Sequence, residues 1–568
     1  MFRTVGPARR SPRPARPGAE HHDASSTAAD VHRRRWWILA VLCLSVLLAV
    51  VDNTIVNVAL PTMSRQLSAS TQGLQWIVDA YSLVFAGLLL VGGNLGDRMG
   101  RRRILQAGLV LFALTSVAAA LSRTTGELIA GRAAMGAAAA LIYPATLALL
   151  TSTFTDTRER ATAIGIWSAV SGLAVAIGPV SGGLLLRHFS WSSVFWVNVP
   201  VVVIALAAGA RLLPESRDSH AGRFDPLGAV LSVAGAGLLV WTVIEAPRQG
   251  WTSLATLAGF AGTAVILAGF AFWQVRRPDP MLDVRLFANA RFSAASGAIA
   301  LAFFGLFGFI FLITQYFQVV RGYDTLRAGV ATLPFAVVTG AMSPVAIGVM
   351  KRIGTKIVVA GGLVFMSAGF VVAAGVGIHS AYWGRIIISM TLMAAGLALT
   401  SSPATDAIMG AVLPEKAGAG SAVNDMTREL GGTLGVAVVG SVMASVYGPH
   451  VLRSLTSHGV PAAAAAAARQ SVVAGLTVAS HLPPALQGVA AQAARQAYVD
   501  GLSAGSLVAA AGTAAAAGAA LAFLPARARA PRPDVTAAPV VIRADGPGLV
   551  AAETPRLDPE EPPAGSRP

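Results

Sequence analysis

Among the titratable residues inside or at the edge of long apolar stretches, Asp52, Asp79, Arg132, Asp425 and Glu429 are the candidates for chemistry, with Glu245 and Asp406 at shallower positions. A charge surrounded by hydrocarbon is costly unless it pairs with another or lines a cavity. The chemistry open to this set is therefore proton and cation binding. Asp52 follows Trp36 at a distance of about 24 Å along a helix, which puts it in the outer half of its stretch. Asp79 and Arg132 fall at similar depth in stretches running the opposite way. An Asp52–Arg132 pair would let each residue offset the burial of the other. Protonation of the acid would loosen that pair and couple a proton to a rearrangement; a static structural ion pair is the alternative. Asp425 and Glu429 are spaced i,i+4 and share one helical face. Two like charges so close favour holding a proton on one of them. The competing reading is a solvated helix start in which Arg428 screens both acids.

No enzyme constellation accompanies these groups. The chain has no His/Cys metal spacing, no phosphate-binding glycine loop and no nucleotide-binding domain. It is expected to be no enzyme and to need neither cofactor nor metal. Work against a gradient would then draw on an ion gradient, worth about 2.3 kcal/mol per charge per 100 mV. Tyr81, Trp167 and Tyr316 are candidate aromatic walls for an apolar cation, although aromatics in such stretches more often only pack. Asp79 is the candidate counter-charge for the same ligand.

These groups must be positioned by membrane helices. Of the 568 residues, 54% are hydrophobic and 12% charged; a soluble chain carries about 25% charged residues. Apolar runs recur along most of the length, giving an all-α polytopic membrane protein with about 14 spans. Approximate span centres are Val46, Phe85, Phe112, Ala140, Leu173, Ile204, Val233, Ala264, Leu306, Val338, Phe365, Ala395, Gly435 and Ala511. The net charge of +16 sits in alternate loops and in the tails, as the positive-inside rule requires, so it argues for a lipid bilayer and not for nucleic acid. Both termini are predicted to be cytoplasmic. The single cysteine, Cys43, cannot form an intrachain disulfide.

One loop stands out between the second and third spans: Gly93-Asn94-Leu95-Gly96-Asp97-Arg98-Met99-Gly100-Arg101-Arg102-Arg103. Its arginines fix it in the cytoplasm, and Gly93 and Gly96 would admit a second helix closely. A purely topogenic loop would need neither Asp97 nor the glycines. The segment Val349 to Lys356 repeats its pattern without the acid, which suggests two related halves. Farther along, Gly178-Pro179 interrupts the fifth span, and Gly182-Gly183 permits tight packing.

The loop motif resembles the signature between the second and third helices of major facilitator superfamily transporters. Val51 to Pro61, Trp76 to Leu83, Leu128 to Arg132, and Gly165 with Gly178-Pro179 and Gly182-Gly183 resemble the 14-helix drug:proton antiporters of that superfamily. Met135 and Ala174 depart from the family pattern. The resemblance implies a major facilitator fold of two six-helix bundles with two inserted helices. It divides the chain into a disordered basic cytoplasmic tail (1–35), a first bundle (36–213), an inserted helix pair (214–291), a second bundle (292–525) with an extracellular connection (449–501), and a disordered tail (526–568). Together with the chemistry read above, it leads to the expectation of proton coupling through Asp52, Arg132, Asp425 and Glu429, and of a substrate site at Asp79, Tyr81, Trp167 and Tyr316. Gly93, Asp97, Arg98, Gly100, Arg101, Gly178, Pro179, Gly182 and Gly183 would form the conformational switch, with Asp97 meeting the cytoplasmic start of the thirteenth helix. The expected activity is proton-coupled efflux of lipophilic cationic compounds by a monomer in the plasma (inner) membrane. A dedicated exporter of one metabolite or lipid, and a non-transporting sensor or scaffold, are the rival expectations.

Overall fold

The computed structural model describes residues 19–217, 225–278, 280–411 and 417–525. Fourteen of its helices are long and apolar enough to cross a membrane. In chain order they are α1 (His32–Leu67), α2 (Thr71–Met99), α3 (Arg101–Ala120), α4 (Thr125–Thr153), α5 (Arg158–His188) and α6 (Ser193–Leu212). Next come α7 (Pro226–Gln249) and α8 (Leu254–Arg276). The remainder are α9 (Ala290–Val320), α10 (Thr325–Ile353), α11 (Thr355–Ala374), α12 (Tyr382–Met409), α13 (Val423–Ser457) and α14 (Pro484–Phe523). Each span centre read from the sequence falls inside one of them.

The first half packs α2 along α4, α1 along α5 and α3 along α4; the second packs α9 along α13, and α11 along α12 and α14. Small residues allow this closeness. Gly136 lies against the Tyr81 carbonyl and Gly92 against that of Ala140, where any Cβ would collide with backbone. The internal repeat is physical. Gly100 ends α2 and starts α3 with φ +112°, and Gly354 does the same between α10 and α11 with φ +90°. Both are backbone conformations that glycine adopts without strain.

The pair α7–α8 lies beside the seam between the halves. Helix α7 packs on both α2 and α13, and Ser441 Oγ of α13 donates to the Val243 carbonyl at 2.9 Å. At the arginine-rich end, Arg35 makes two 2.8 Å bonds to Glu159, joining α1 to α5. Arg103 reaches Glu215 at 3.5 Å.

One expectation changes. The helix carrying α1 begins at Ala19, so part of the tail expected to be irregular is helical; residues 1–18 and 526–568 lie outside the described ones. The alanine-rich connection expected over 449–501, with helical stretches broken at Pro483 and Pro484, is largely helical. Helices α13 and α14 run on beyond membrane length, and two short helices, Ala462–Ala468 and Val472–His481, fill the gap. Alanine-rich sequence favours helix, and Tyr447 anchors the turn between the short helices by donating to the Ala468 and Ser471 carbonyls, both at 2.9 Å.

Candidate functional site

A cavity of about 1830 Å³ lies between the two halves. It runs from Asn53 and Tyr81 at mid-depth to Asp97, Arg101 and Arg285 at the arginine-rich end. The opposite end is shut. There Gln75 of α2 bonds to α13, Gln318 Nε2 donates to the Val58 carbonyl at 2.9 Å, and Thr325 Oγ1 to that of Gly183 at 2.9 Å. The glycine run of α5 makes this closure possible. A Cβ on Gly182 would sit 2.7 Å from Ile55 Cγ1, and one on Gly183 2.5 Å from the Thr325 carbonyl oxygen. Gly178 meets Thr54, and the Pro179 carbonyl receives Gly329. Gln470, between the short helices, accepts at its carbonyl from both Thr71 N–H and Thr71 Oγ1 at 3.1 Å. Ser64 and Ser471 stand 3.5 Å apart beside it.

Aromatic rings line the first half of the cavity in sequence: Tyr81–Phe85 at 6.1 Å, Phe85–Tyr143 at 5.8 Å and Tyr143–Trp167 at 5.2 Å between centroids. Phe303 and Phe307 face them from α9. Trp167 is fixed by its Nε1 donating to Thr146 Oγ1 at 3.2 Å. Asp425, Arg428 and Glu429 bring charge to the α13 wall. Arg428 lies 4.0 Å from Asp425, donates to Thr405 Oγ1 at 3.0 Å and stacks on Phe303 at 5.4 Å. Glu429 Oε2 is shielded from solvent and has no hydrogen-bond partner. Such a wall presents ring faces and one uncommitted carboxylate oxygen, which suits a lipophilic cation.

The second centre is closed off from the cavity. Arg132 Nη1 donates to Asp52 Oδ2 at 2.5 Å, and both side chains are 0% exposed. Arg132 Nε donates to the Ile77 carbonyl at 3.0 Å, while Nη2 has no acceptor. Tyr81 forms the partition. Its ring lines the cavity and also lies 4.2 Å beneath the Arg132 guanidinium. Its hydroxyl donates to the Ala49 carbonyl at 3.0 Å. Asn198, which sequence reasoning passed over, donates to Asp52 Oδ1 at 2.7 Å.

Other expected site residues lie elsewhere. Asp79 is fully buried, does not line the cavity, and neither carboxyl oxygen has a partner. It follows Gln75 by one helical turn, on the α2 face that meets α13. Tyr316 is also sealed off, donating to the Gly377 carbonyl at 2.8 Å; the end of α9 widens into a π turn over Tyr316–Val320 and directs the ring away from the cavity. In the loop, Asp97 accepts from Arg101 Nε at 2.9 Å, and Arg101 Nη1 reaches the Ala148 carbonyl at 3.4 Å. Arg98 is exposed. Gly93 and Gly96 take no backbone-tight contact here: a Cβ on Gly93 would meet Pro144 Cβ of α4 at an ordinary 3.7 Å. They line the open mouth, so the close approach expected of them is absent in this conformation. The expected partner of Asp97, the start of the thirteenth helix near Gly418, has side chains outside the described residues. Among the described residues no His, Cys, Asp and Glu cluster is arranged to hold a metal.

Comparison with known proteins places this geometry. Residues 42–436 match the family model described as Major Facilitator Superfamily. The chain is 39% identical over 452 residues to the multidrug efflux pump LfrA of Mycolicibacterium smegmatis, covering 80% of this chain and 89% of that one. It is 36% identical to the methyl viologen resistance protein SmvA of Salmonella typhimurium strain LT2, covering 79% and 90%. It is 34% identical to the puromycin resistance protein pur8 of Streptomyces alboniger, covering 78% and 88%. Among solved structures, it shares its fold with a bacterial homolog of the human lysosomal transporter Spinster in an inward-facing, unoccupied conformation. There the TM-score is 0.58 at 18% identity, covering 86% and 98% of the two chains. With its fourteen apolar helices and a cavity between two helical halves, this chain is a multi-pass member of the Major Facilitator Superfamily.

Proposed function

We propose that the protein exports lipophilic cations in exchange for protons, by alternating access, across the plasma membrane. The observation that carries this reading is the pairing of two separate centres: an aromatic cavity with an unpartnered Glu429 oxygen, and a sealed Asp52–Arg132 ion pair behind Tyr81. The arginine distribution assigns the open end of the cavity to the cytoplasm, with both termini inside. The conformation is then inward-open. A cation collected from the cytoplasm would rest against the rings and the α13 acids. A proton taken from outside by Asp52 would neutralise the partner of Arg132, and the freed guanidinium would seek the acceptors offered by the other state. No nucleotide site is needed, because the proton gradient supplies the energy. A monomer contains both centres. The likeness to LfrA, a multidrug efflux pump, and to SmvA, a methyl viologen resistance protein, supports this reading.

A narrower reading, export of a single antibiotic, is favoured by the likeness to pur8 and by Arg428, which adds a fixed positive charge to the cavity wall. Both readings face one test. Purified protein in liposomes with an imposed pH gradient should move ethidium uphill and release protons as substrate binds. Asp52→Asn should still bind ethidium and lose uphill transport. Normal concentrative efflux and proton release in that variant would remove Asp52 from the coupling role. Transport of puromycin but not of ethidium or tetraphenylphosphonium would select the narrow reading.

A further inference from the structure

We propose that Asn198 is a positioning residue for the Asp52–Arg132 pair, its side-chain amide seating the carboxyl of Asp52 in both of its protonation states. The proposal rests on the reading of Asp52 as the group that carries the proton. Asp52 has two oxygens and two side-chain donors. Arg132 Nη1 takes Oδ2, and Asn198 Nδ2 takes Oδ1 at 2.7 Å. The same nitrogen donates to Ser116 Oγ at 3.0 Å, and Ser116 Oγ donates to the Phe195 carbonyl at 2.8 Å. Asp52 and Ser116 are 0% exposed and Asn198 2%. A short chain therefore runs from the acid on α1, through α6 and α3, to the turn that begins α6.

The direction of that chain fits an ionised Asp52. Every hydrogen between Asn198 and the acid points at the carboxylate. A protonated Asp52 would instead need an acceptor for its new O–H. Arg132 has none, since a guanidinium only donates. An amide offers both kinds of group. Half a turn about the Cβ–Cγ bond of Asn198 would place its carbonyl against the Asp52 hydroxyl. The Ser116 hydroxyl, also able to donate or accept, would then turn from Phe195 to Asn198. Asn198 and Ser116 can thus both turn to the protonated acid without backbone movement, giving up the Ser116–Phe195 bond and the two bonds from Asn198 Nδ2, and the carboxyl would stay in register while its bond to Arg132 weakens. An apolar side chain at 198 would leave Asp52 Oδ1 and Ser116 Oγ without this partner, in a place where an unmade hydrogen bond is costly.

The test compares Asn198→Leu, Asn198→Ala, Asn198→Ser and Ser116→Ala with the parent and with Asp52→Asn. Each is reconstituted in liposomes and followed by ethidium efflux and proton release from pH 5.5 to 8.5, with ethidium binding measured in detergent. Asn198→Leu is expected to bind ethidium within about twofold of the parent. It should lose about tenfold in gradient-driven efflux, and its pH profile should move by about one unit. Asn198→Ser restores a group that donates and accepts and should recover part of the profile, whereas Asn198→Ala should not. Ser116→Ala should displace the profile less than Asn198→Leu. If Asn198→Leu does not fold, the contrast between Ser and Ala at 198 decides. Parental efflux and pH profile in Asn198→Leu or Asn198→Ala would overturn the proposal while a disabled Asp52→Asn upholds the coupling role. Normal transport in Asp52→Asn would overturn both.

Discussion

The side-chain amide of Gln75 on α2 donates to the Ala437 carbonyl on α13 at 2.9 Å, with the Val436 carbonyl at 3.2 Å and Ser441 Oγ at 3.3 Å. One neutral group thus ties the two bundles together above the cavity. Gly440 makes room for it, since a Cβ there would come within 2.7 Å of Gln75 Nε2.

Replacing Gln75 by leucine removes this tie. Net hydrogen bonds are worth about 1 kcal/mol each, so losing one or two should shift the closed-to-open ratio at the outer end by about tenfold. In a Cys43→Ser background, a cysteine placed at Thr71 should react several-fold faster with an impermeant maleimide when Gln75→Leu is added. An unchanged rate would mean that the seam is held elsewhere.

Asp97→Asn should reach the membrane in normal amount and lower ethidium efflux at least about fivefold. In the conformation described the acid accepts from Arg101, and by the family resemblance of its loop it would meet the start of the thirteenth helix in the other. Weakening either set of contacts shifts the balance between states. Full efflux at normal expression would show that the loop acts only in topology.

Asp79 offers a sharper contrast. Its position outside the cavity means that Asp79→Asn, measured in the inward-open state, should bind both tetraphenylphosphonium and the dication methyl viologen within about twofold of the parent. Asp79→Leu should match or exceed the parent in thermal stability, because it replaces a buried polar group lacking partners. A loss of about tenfold confined to the dication would instead place Asp79 in contact with substrate.

Asp225 caps α7 just outside the membrane span. Burial raises the proton affinity of its carboxyl, but hydrogen bonds from Trp273, the Gly228 N–H and Gln274, together with Arg277, outweigh this and hold it below the usual carboxylate range. Trp273 Nε1 donates at 3.0 Å and Gln274 Nε2 at 2.7 Å. A depressed value contributes stability above the ordinary carboxylate pKa of about 4, and this stability is lost as pH falls through the lower folded value. Asp225→Asn should therefore melt lower than the parent by an amount that is constant from pH 8 to 5 and shrinks below about pH 4. A difference that grows in acid would contradict this sign.

Much of the membrane architecture was legible because hydrocarbon thickness imposes a length on every span, and that length shows in the chain itself. The repeat around Gly100 and Gly354 was legible for a similar local reason: a turn with positive φ calls for glycine. The Asp52–Arg132 pair was legible because a lone arginine at the depth of Asp52 and Asp79 must find an acid there. Asn198 escaped notice because an amide in an apolar run carries no formal charge, yet burying its dipole poses the same demand for partners. Tyr316 and Asp79 were misplaced because facing direction depends on the π turn and on α2–α13 packing, neither of which leaves a periodic trace.

The two faces of the molecule are closed and braced by different kinds of force. The bonds that join the halves at the outer end, Gln75 to Ala437, Thr71 to Gln470, Gln318 to Val58 and Thr325 to Gly183, are made by neutral groups. The arginine-rich end is braced by ion pairs, Arg35 to Glu159, Arg101 to Asp97 and Arg103 to Glu215. Dissolved salt screens charges over about 8 Å at physiological strength and leaves neutral hydrogen bonds almost untouched. The closed end is thus nearly indifferent to the salt around it, while the bracing of the arginine-rich end weakens as ionic strength rises.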